Sequence, residues 1–401
     1  MPPFVRTVSI TNYKSIARCR VELGPLTFLV GPNGSGKSNF LDALRFVADA
    51  LNTTLEQSLR DRGGIQSVRR RSGGHPTHFG IRLDLTLPDG RAAFYSFKVG
   101  AERDGAFVVQ REECRVSGPE GLEFFVADEG KVVQASRPIP TALERDRLAL
   151  VAISGLPEFR PVYEGLRRMG FYNLNPERIR DLQEPDPGQI LARDGRNLAA
   201  VVRELGRFDG GRILSKVAEH VQAVVPGVVS IEHRTLGPKE TIEFRQQVTG
   251  AQNPWHFLAA EMSDGTLRAL GILVAAFQAE LNGQRRVSLV GIEEPEMALH
   301  PGAADIIAEV LLLASERVQV IATTHSPDLL NHKAILAENL LAVTAEGGTT
   351  VVGVIEPGAR SVLRDRLYAA GELLSQGPIE PDHELVEQSL RQMKLFSDRV
   401  E

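Results

Sequence analysis

Short apolar runs and stripes at helical spacing alternate along most of the chain. Leu26-Thr-Phe-Leu-Val30 is short and apolar, as a buried parallel strand should be. A glycine-rich segment follows it, and then Phe40, Leu41, Leu44, Val47, Ala48 and Leu51 recur at helical spacing, which predicts strand, loop and helix. Residues 78 to 135 change period: Phe79 to Leu87, Ala92 to Val99 and Phe107 to Val116 read as strands, the first two joined by the turn Pro88-Asp-Gly90. From about 140 to 225 the pattern turns helical, over Leu143 to Ile153, Pro161 to Met169 and Asn197 to Leu205, with a break at Glu184-Pro-Asp-Pro-Gly188. Val229 to Thr235 and Thr241 to Gln247 read as two more strands. Leu267, Leu270, Leu273, Val274 and Phe277 predict a helix, and Arg286 to Ile292 a buried strand. A crossover helix over 302 to 317 then leads to a strand beginning at Val318. Leu340 to Thr344 and Thr349 to Ile355 suggest a hairpin, and Ala359 to Leu374 a helix. There are no heptads, so a long coiled-coil arm is not expected.

The 401 residues exceed the usual single-domain size, and the pattern divides them into three segments. These are an N-terminal lobe over 1–77, a β subdomain with a helical insertion over 78–250, and a C-terminal lobe over 251–401. The fold class expected is α/β, with a mixed or parallel sheet flanked by helices. A net charge of −5 argues against a surface coated in positive charge for wrapping nucleic acid. A local basic cluster remains at Arg60, Arg62, Arg69, Arg70 and Arg71. It reads either as a solvated face or as a contact to a DNA backbone or a nucleotide. Cys19 and Cys114 are too few for a disulfide framework or a zinc cage. No apolar run approaches the roughly 20 residues of a membrane span, and the N-terminus lacks a secretory pattern, so a cytoplasmic protein without membrane contact is expected.

The chemistry concentrates in four places. Gly31-Pro32-Asn33-Gly34-Ser35-Gly36-Lys37-Ser38, between the first buried strand and its helix, has the spacing of a phosphate-binding loop. Its glycines let successive N–H groups point inward at the positive end of the helix. Lys37 is placed to reach the β and γ phosphates of a nucleotide, and the Ser38 hydroxyl to hold Mg²⁺, which by itself does not separate a kinase, GTPase, motor, transporter subunit or DNA-processing ATPase. A second buried strand ends in Glu293 and Glu294, two carboxylates that an extended chain would point to opposite sides. Glu293 would hold Mg²⁺ through water, and Glu294 would act as the general base on the attacking water. Ser263-Asp-Gly265-Thr opens a helix, where a hydroxyl and free N–H groups suit a γ-phosphate, or form an ordinary N-cap. His325, at the tip of the next strand, would hydrogen-bond the γ-phosphate.

Together these residues resemble the ATP-binding-cassette ATPase heads of the SMC, RecF and OLD-like group, a branch of the AAA-family ATPases. Gly31 to Asn39 resembles that group's Walker A, and Asn12-Tyr-Lys-Ser-Ile16 the strand and turn that precede it. Ser263 to Thr266 resembles the signature loop, Ile292-Glu-Glu-Pro-Glu296 the Walker B, and Thr324-His-Ser-Pro327 the switch-histidine strand. Glu293 departs from the Asp common at that position, and Gln66 is the one candidate for the Q-loop. The resemblance implies a P-loop head with an antiparallel β subdomain, and a homodimer closed around ATP and Mg²⁺. In that dimer Ser263 and Gly265 face the nucleotide of the second subunit. It also implies a role in DNA maintenance or defence against phage, with DNA as a candidate partner and a separate effector protein. The span after His325 is too short for the Toprim nuclease domain that OLD proteins append, so nucleic-acid cleavage by this chain is not expected. Two other readings stay open: the nucleotide-binding subunit of a membrane transporter, and a scaffold that binds ATP without hydrolysing it.

Overall fold

The computed structural model describes residues 2–72, 76–118, 121–139, 142–278, 280–281, 284–285, 287–297 and 301–397. Its first strands are β1 (Val5–Tyr13), β2 (Ile16–Glu22) and β3 (Leu26–Val30), followed by the helix Lys37–Asn52. Five more follow as β4 (His78–Thr86), β5 (Ala92–Ala101), β6 (Phe107–Gly118), β7 (Gly121–Asp128) and β8 (Lys131–Ala135). After a helical stretch come β9 (Met169–Tyr172), β10 (Val228–Leu236), β11 (Lys239–Gln246) and β12 (Trp255–Leu258). The helix Asp264–Phe277, the two-residue strands β13 (Glu280–Leu281) and β14 (Gln284–Arg285), and β15 (Leu289–Glu293) come next. The helix Pro301–Ser315 crosses to β16 (Gln319–Thr324), and β17 (Leu340–Glu346) and β18 (Thr349–Val354) complete the strands.

Two compact units divide these elements. The first comprises Pro2–Met169, Ala337–Asp365 and Pro378–Glu401; the second comprises Gly170–Leu336 and Arg366–Gly377. In the first unit, β2-β1-β4-β5-β6-β7-β8 form an antiparallel sheet. The expected β subdomain is therefore larger than the sequence suggested, because β1 and β2 join it. In the same unit β17 runs parallel to β3 and antiparallel to β18. The helix Lys37–Asn52 buries Phe46 against Tyr13, Phe79 and Phe97 of the sheet, with ring centroids 5.4 to 6.2 Å apart. Such aromatic contacts add about 1 kcal/mol each beyond the area they bury, and here they anchor the helix that follows the glycine loop.

The second unit contains the parallel pair β15 and β16, with Glu293 opposite Thr323, and β9 flanking β15. It also holds the antiparallel meander β10-β11-β12, whose first two strands match those expected. The expected start of the β15 run, at Arg286, lies outside the described residues.

Two helices differ from expectation. The run from Leu143 becomes helical only at Ala149–Ile153, because the buried Glu112 carboxylate accepts hydrogen bonds from the N–H groups of Ala149 and Leu150 and so sets the start. The run from Ala359 to Leu374 splits into Pro357–Arg364 and Ala370–Gln376. Arg366 adopts a left-handed φ of 55° between them, and Glu372 caps the N–H of Ala369.

Glu112 also accepts a hydrogen bond from the Tyr95 hydroxyl at 2.9 Å. Burial, the largest influence, pushes its carboxyl up to about 7 against the opposing hydrogen bonds from Leu150, Ala149 and Tyr95. A folded-state value above the ordinary one means that this group's contribution is fully present below about pH 4.5 and lost as pH rises through about 7. The amplitude is on the order of 3 kcal/mol. Glu112→Gln is expected to flatten that part of the pH dependence, read as Tm against pH from 4 to 8.

Candidate functional site

The glycine loop lies in the first unit, between the fully buried β3 and its helix. Gly36 forms the N-cap with φ 105°, and a Cβ there would sit 1.9 Å from Thr350 Oγ1. A Cβ on Gly31 would sit 2.0 Å from the Val343 carbonyl oxygen. Both positions therefore demand glycine, at Gly36 for conformation as well as space. Thr350 Oγ1 donates to the Ser35 carbonyl at 2.9 Å and lies 2.7 Å from Ser15 Oγ. Asn39 Nδ2 donates to Ser15 Oγ at 2.7 Å. Arg70 donates to the Ser15 carbonyl and to Thr349 Oγ1, both at 2.6 Å. The β1–β2 turn, with Asn12 and Lys14 at φ 52° and 47°, and the β17–β18 hairpin thus clasp the loop.

Lys37 is only 5% exposed, and its Nζ donates to the carbonyls of Gly31 at 2.7 Å and Pro32 at 3.0 Å. Pro32, Asn33, Gly34 and Ser38 are exposed. Ser35 is buried, and its Oγ has no hydrogen-bond partner. An ammonium held by loop carbonyls, an exposed rim with the Ser38 hydroxyl, and an unsatisfied hydroxyl beneath fit a polyphosphate with its Mg²⁺.

The basic cluster is neither a solvated run nor a free patch. Arg62, with a side chain 3% exposed, donates to Asp42, Asp49 and the Ser58 carbonyl. Arg69 donates to Gln66 Oε1 at 2.8 Å and to the Pro76 carbonyl, so the Q-loop candidate is engaged within its own segment. Arg60 pairs with Glu56 on the surface, and Arg71 donates to the Gln66 carbonyl. Asp42 gathers Tyr13 Oη at 2.8 Å, Lys14 Nζ at 2.6 Å and Arg62 at 3.0 Å. Burial alone would raise its carboxyl, but Arg62 and Lys14 outweigh that and hold it at about 2.

The acidic tip and His325 lie in the second unit. Glu294 follows β15 with a left-handed φ of 45°. Glu294 therefore sits in a sharp turn, not in the pleat of an extended chain as expected. The turn is held by the Glu294 N–H, 3.0 Å from the Thr323 carbonyl, and by Arg268, whose Nη2 donates to the Glu294 carbonyl at 3.3 Å. His325 Nδ1 lies 3.4 Å from Glu294 Oε1. Thr324 Oγ1 donates to Glu296 Oε1 at 2.6 Å, while Glu296 Oε2 is buried without a partner. Burial raises the Glu296 carboxyl, opposed by the Thr324 hydrogen bond.

Glu293 Oε1 accepts from Arg193 Nη2 at 2.8 Å, an arginine that no sequence pattern singled out. Its loop is built from within. The Arg193 carbonyl accepts from the Asn173 N–H at 3.0 Å, Ala192 N–H donates to Asn197, and Leu191 N–H donates to the buried Gln278. Ser263 caps its helix, accepting from the Thr266 N–H at 3.2 Å, and Gly265 lies in the first turn. Asp264 beside it pairs with Arg180, which also donates to the Met262 carbonyl at 3.2 Å. Within this unit the helix that carries the signature-like loop and the acidic tip are thus joined through Arg268.

A glycine loop after a buried strand, with a two-carboxylate strand tip and a histidine on the adjacent parallel strand, defines a P-loop ATPase head. The solved head of Smc bound to the C-winged helix domain of ScpA matches with a TM-score of 0.53 at 16% identity, covering 87% of this chain and 97% of that one. An Smc head with an extended coiled coil, derived from Pyrococcus furiosus and bound to the C-terminal domain of ScpA, gives 0.53 at 12% identity over 91% and 99%. These likenesses show the fold. The family described as "AAA domain, putative AbiEii toxin, Type IV TA system" matches residues 26–132 and 191–331, and the chain belongs to it.

Among relatives, the chromosome partition protein Smc of Desulfitobacterium hafniense (strain Y51) is 27% identical over 277 residues, 63% of this chain and 22% of that protein. The Old nuclease of Escherichia phage P2 is 24% identical over 379 residues, 86% of this chain and 60% of that protein. The OLD nuclease of Thermus scotoductus (strain ATCC 700910 / SA-01) is 23% identical over 347 residues, 80% and 59%. The chain therefore spans about a fifth of that Smc and about three fifths of the OLD nucleases.

Arg62→Ala leaves Asp42 and Asp49 without their buried partner and is expected to destabilise the protein by about 3 kcal/mol. Urea unfolding measures the loss.

Proposed function

We propose that the protein binds ATP with Mg²⁺ on the glycine loop and hydrolyses it, in a homodimer that closes around the nucleotide. Lys37 supports this reading above all: a nearly buried ammonium held by carbonyls of the loop it would leave when phosphates arrive. Lys37 exchanges those carbonyls for β and γ phosphate oxygens, and backbone N–H groups at the helix start bind the rest of the chain of phosphates. Ser38 and Glu293 are the residues that would hold Mg²⁺, with Arg193 releasing Glu293, and the ion would supply charge neutralisation to the phosphates.

Glu294 takes a proton from the attacking water as the water oxygen bonds to the γ phosphorus. The bond from that phosphorus to the bridging oxygen breaks, giving ADP and phosphate. His325, within reach of the Glu294 carboxylate, orients it and reads the γ-phosphate. Ser263 and Gly265 cap the nucleotide of the second subunit. Loss of the γ-phosphate then removes the group both subunits hold, so hydrolysis is a switch. By analogy with the relatives the switch serves DNA maintenance or defence against phage, through a separate effector. No helix among the described residues is long and apolar enough to cross a membrane.

The test is Mg²⁺-dependent ATP turnover, with and without single- and double-stranded DNA. Lys37→Ala is expected to lose ATP binding, and Glu294→Gln to lose turnover by at least about a hundredfold while keeping ATP-driven dimerisation in size-exclusion chromatography. Unchanged turnover in Glu294→Gln removes that residue from its role. DNA stimulation in the parent protein supports a DNA-sensing switch, and turnover indifferent to DNA points to a protein regulator.

A further inference from the structure

The antiparallel sheet carries an ordered polar array outside the nucleotide chemistry. Pairing of β1 with its two neighbours places Arg20, Ser9 and Arg82 in one cross-strand row, and Glu22, Thr7 and Asp84 in the next. Residues two apart on a strand share a face, so both rows lie on the same side. They line a cleft of about 740 Å³, within the range of small-molecule sites. The segment after the helix His383–Arg391 contributes Lys394 and Phe396 to its lining. That segment is pinned to the sheet: Leu395 packs where Gly80 lacks a side chain, Phe396 lies 5.2 Å from the Arg111 guanidinium, and the Ser397 N–H donates to Glu113 at 3.1 Å.

The lining holds four cations, Arg6, Arg20, Arg82 and Lys394, against Glu22 and Asp84, in a chain of net charge −5. Arg82 is fixed in place by Asp84 at 2.7 Å and by stacking 3.7 Å over Phe94. The Arg20 guanidinium donates to Ser389 Oγ at 3.4 Å, and among the described residues no ion pair engages it. Ser9, 1% exposed, lies between these two arginines in the row.

Two guanidiniums about a hydroxyl form the donor set for phosphoryl oxygens. The adjoining carboxylate row accepts from hydroxyl groups next to the phosphate, and it would repel the continuous phosphates of a nucleic acid. We propose that the cleft binds a small phosphomonoester, its phosphoryl group between Arg20 and Arg82 over Ser9 and its hydroxyls toward Glu22 and Asp84. None of these residues belongs to the glycine loop.

Calorimetric titration with ribose 5-phosphate, and separately with inorganic phosphate, tests this on the parent protein and on Lys37→Ala, Arg20→Ala and Glu22→Gln. Ribose 5-phosphate is expected to bind the parent protein and Lys37→Ala alike, and Arg20→Ala at least about tenfold more weakly. Glu22→Gln is expected to weaken ribose 5-phosphate and leave inorganic phosphate unchanged. Thermal melting checks that each variant is folded, and Arg20→Gln, which removes the charge while keeping most of the side chain, serves as the second variant should Arg20→Ala unfold, with the same weakening of ribose 5-phosphate expected. Parent affinity in Arg20→Ala, loss confined to Lys37→Ala, or no binding to the parent protein overturns the proposal. Binding of a single-stranded oligonucleotide without any of ribose 5-phosphate overturns it in favour of a polymer.

Discussion

Two absent side chains decide where the glycine loop can lie. The carbonyl oxygen of Val343 and the hydroxyl of Thr350 occupy the places where Gly31 and Gly36 would carry a Cβ. Through Ser15, Asn39 and Arg70 the same hairpin is tied to the turn before the loop and to the helix after it. The loop is thus held in shape by the chain itself, which would leave little ordering for a phosphate ligand to drive. Everything else at this end, from the Lys37 ammonium to the exposed rim, depends on that clasp.

Charge serves two purposes in the molecule. Around Asp42 it is structural: Tyr13, Lys14 and Arg62 converge on one carboxylate behind the loop, and burial is outweighed by the cations. At the candidate site each charge has a partner that can be exchanged. Lys37 rests on carbonyls, Glu293 on a half-exposed Arg193 and Glu294 on His325. Exchange of one hydrogen bond for another costs little, whereas leaving a buried group unpaired is expensive. Partners of this kind could give way to phosphate or metal, as the proposed function requires, without large penalties.

Some of this was legible in advance, because local pattern suffices for it. The strand, glycine loop and helix around Lys37 follow from hydrophobic period and backbone freedom, and the β17–β18 hairpin and the β10 and β11 strands from alternation. Other features were not legible. The arginine-rich stretch from Arg60 to Arg71 looked like one patch, yet Arg62 is interior and Arg70 braces the loop, because partners distant in sequence claim them. Arg193 lies in a loop without a motif, and hydrogen bonds to Asn173, Asn197 and Gln278 hold the loop from which it reaches Glu293.

Sequence by itself determined the family and the kind of loop the chain carries. Glycine spacing, Lys37, Ser38 and the paired carboxylates are requirements of phosphate binding that act over a few residues, so they survive in one dimension. Tertiary structure decided how those groups are held: the left-handed turn at Glu294, the Thr350 contact that makes Gly36 obligatory, and the rows of Arg20, Ser9 and Arg82 across three strands. These depend on strand register and on burial shared between distant segments, which no local pattern encodes.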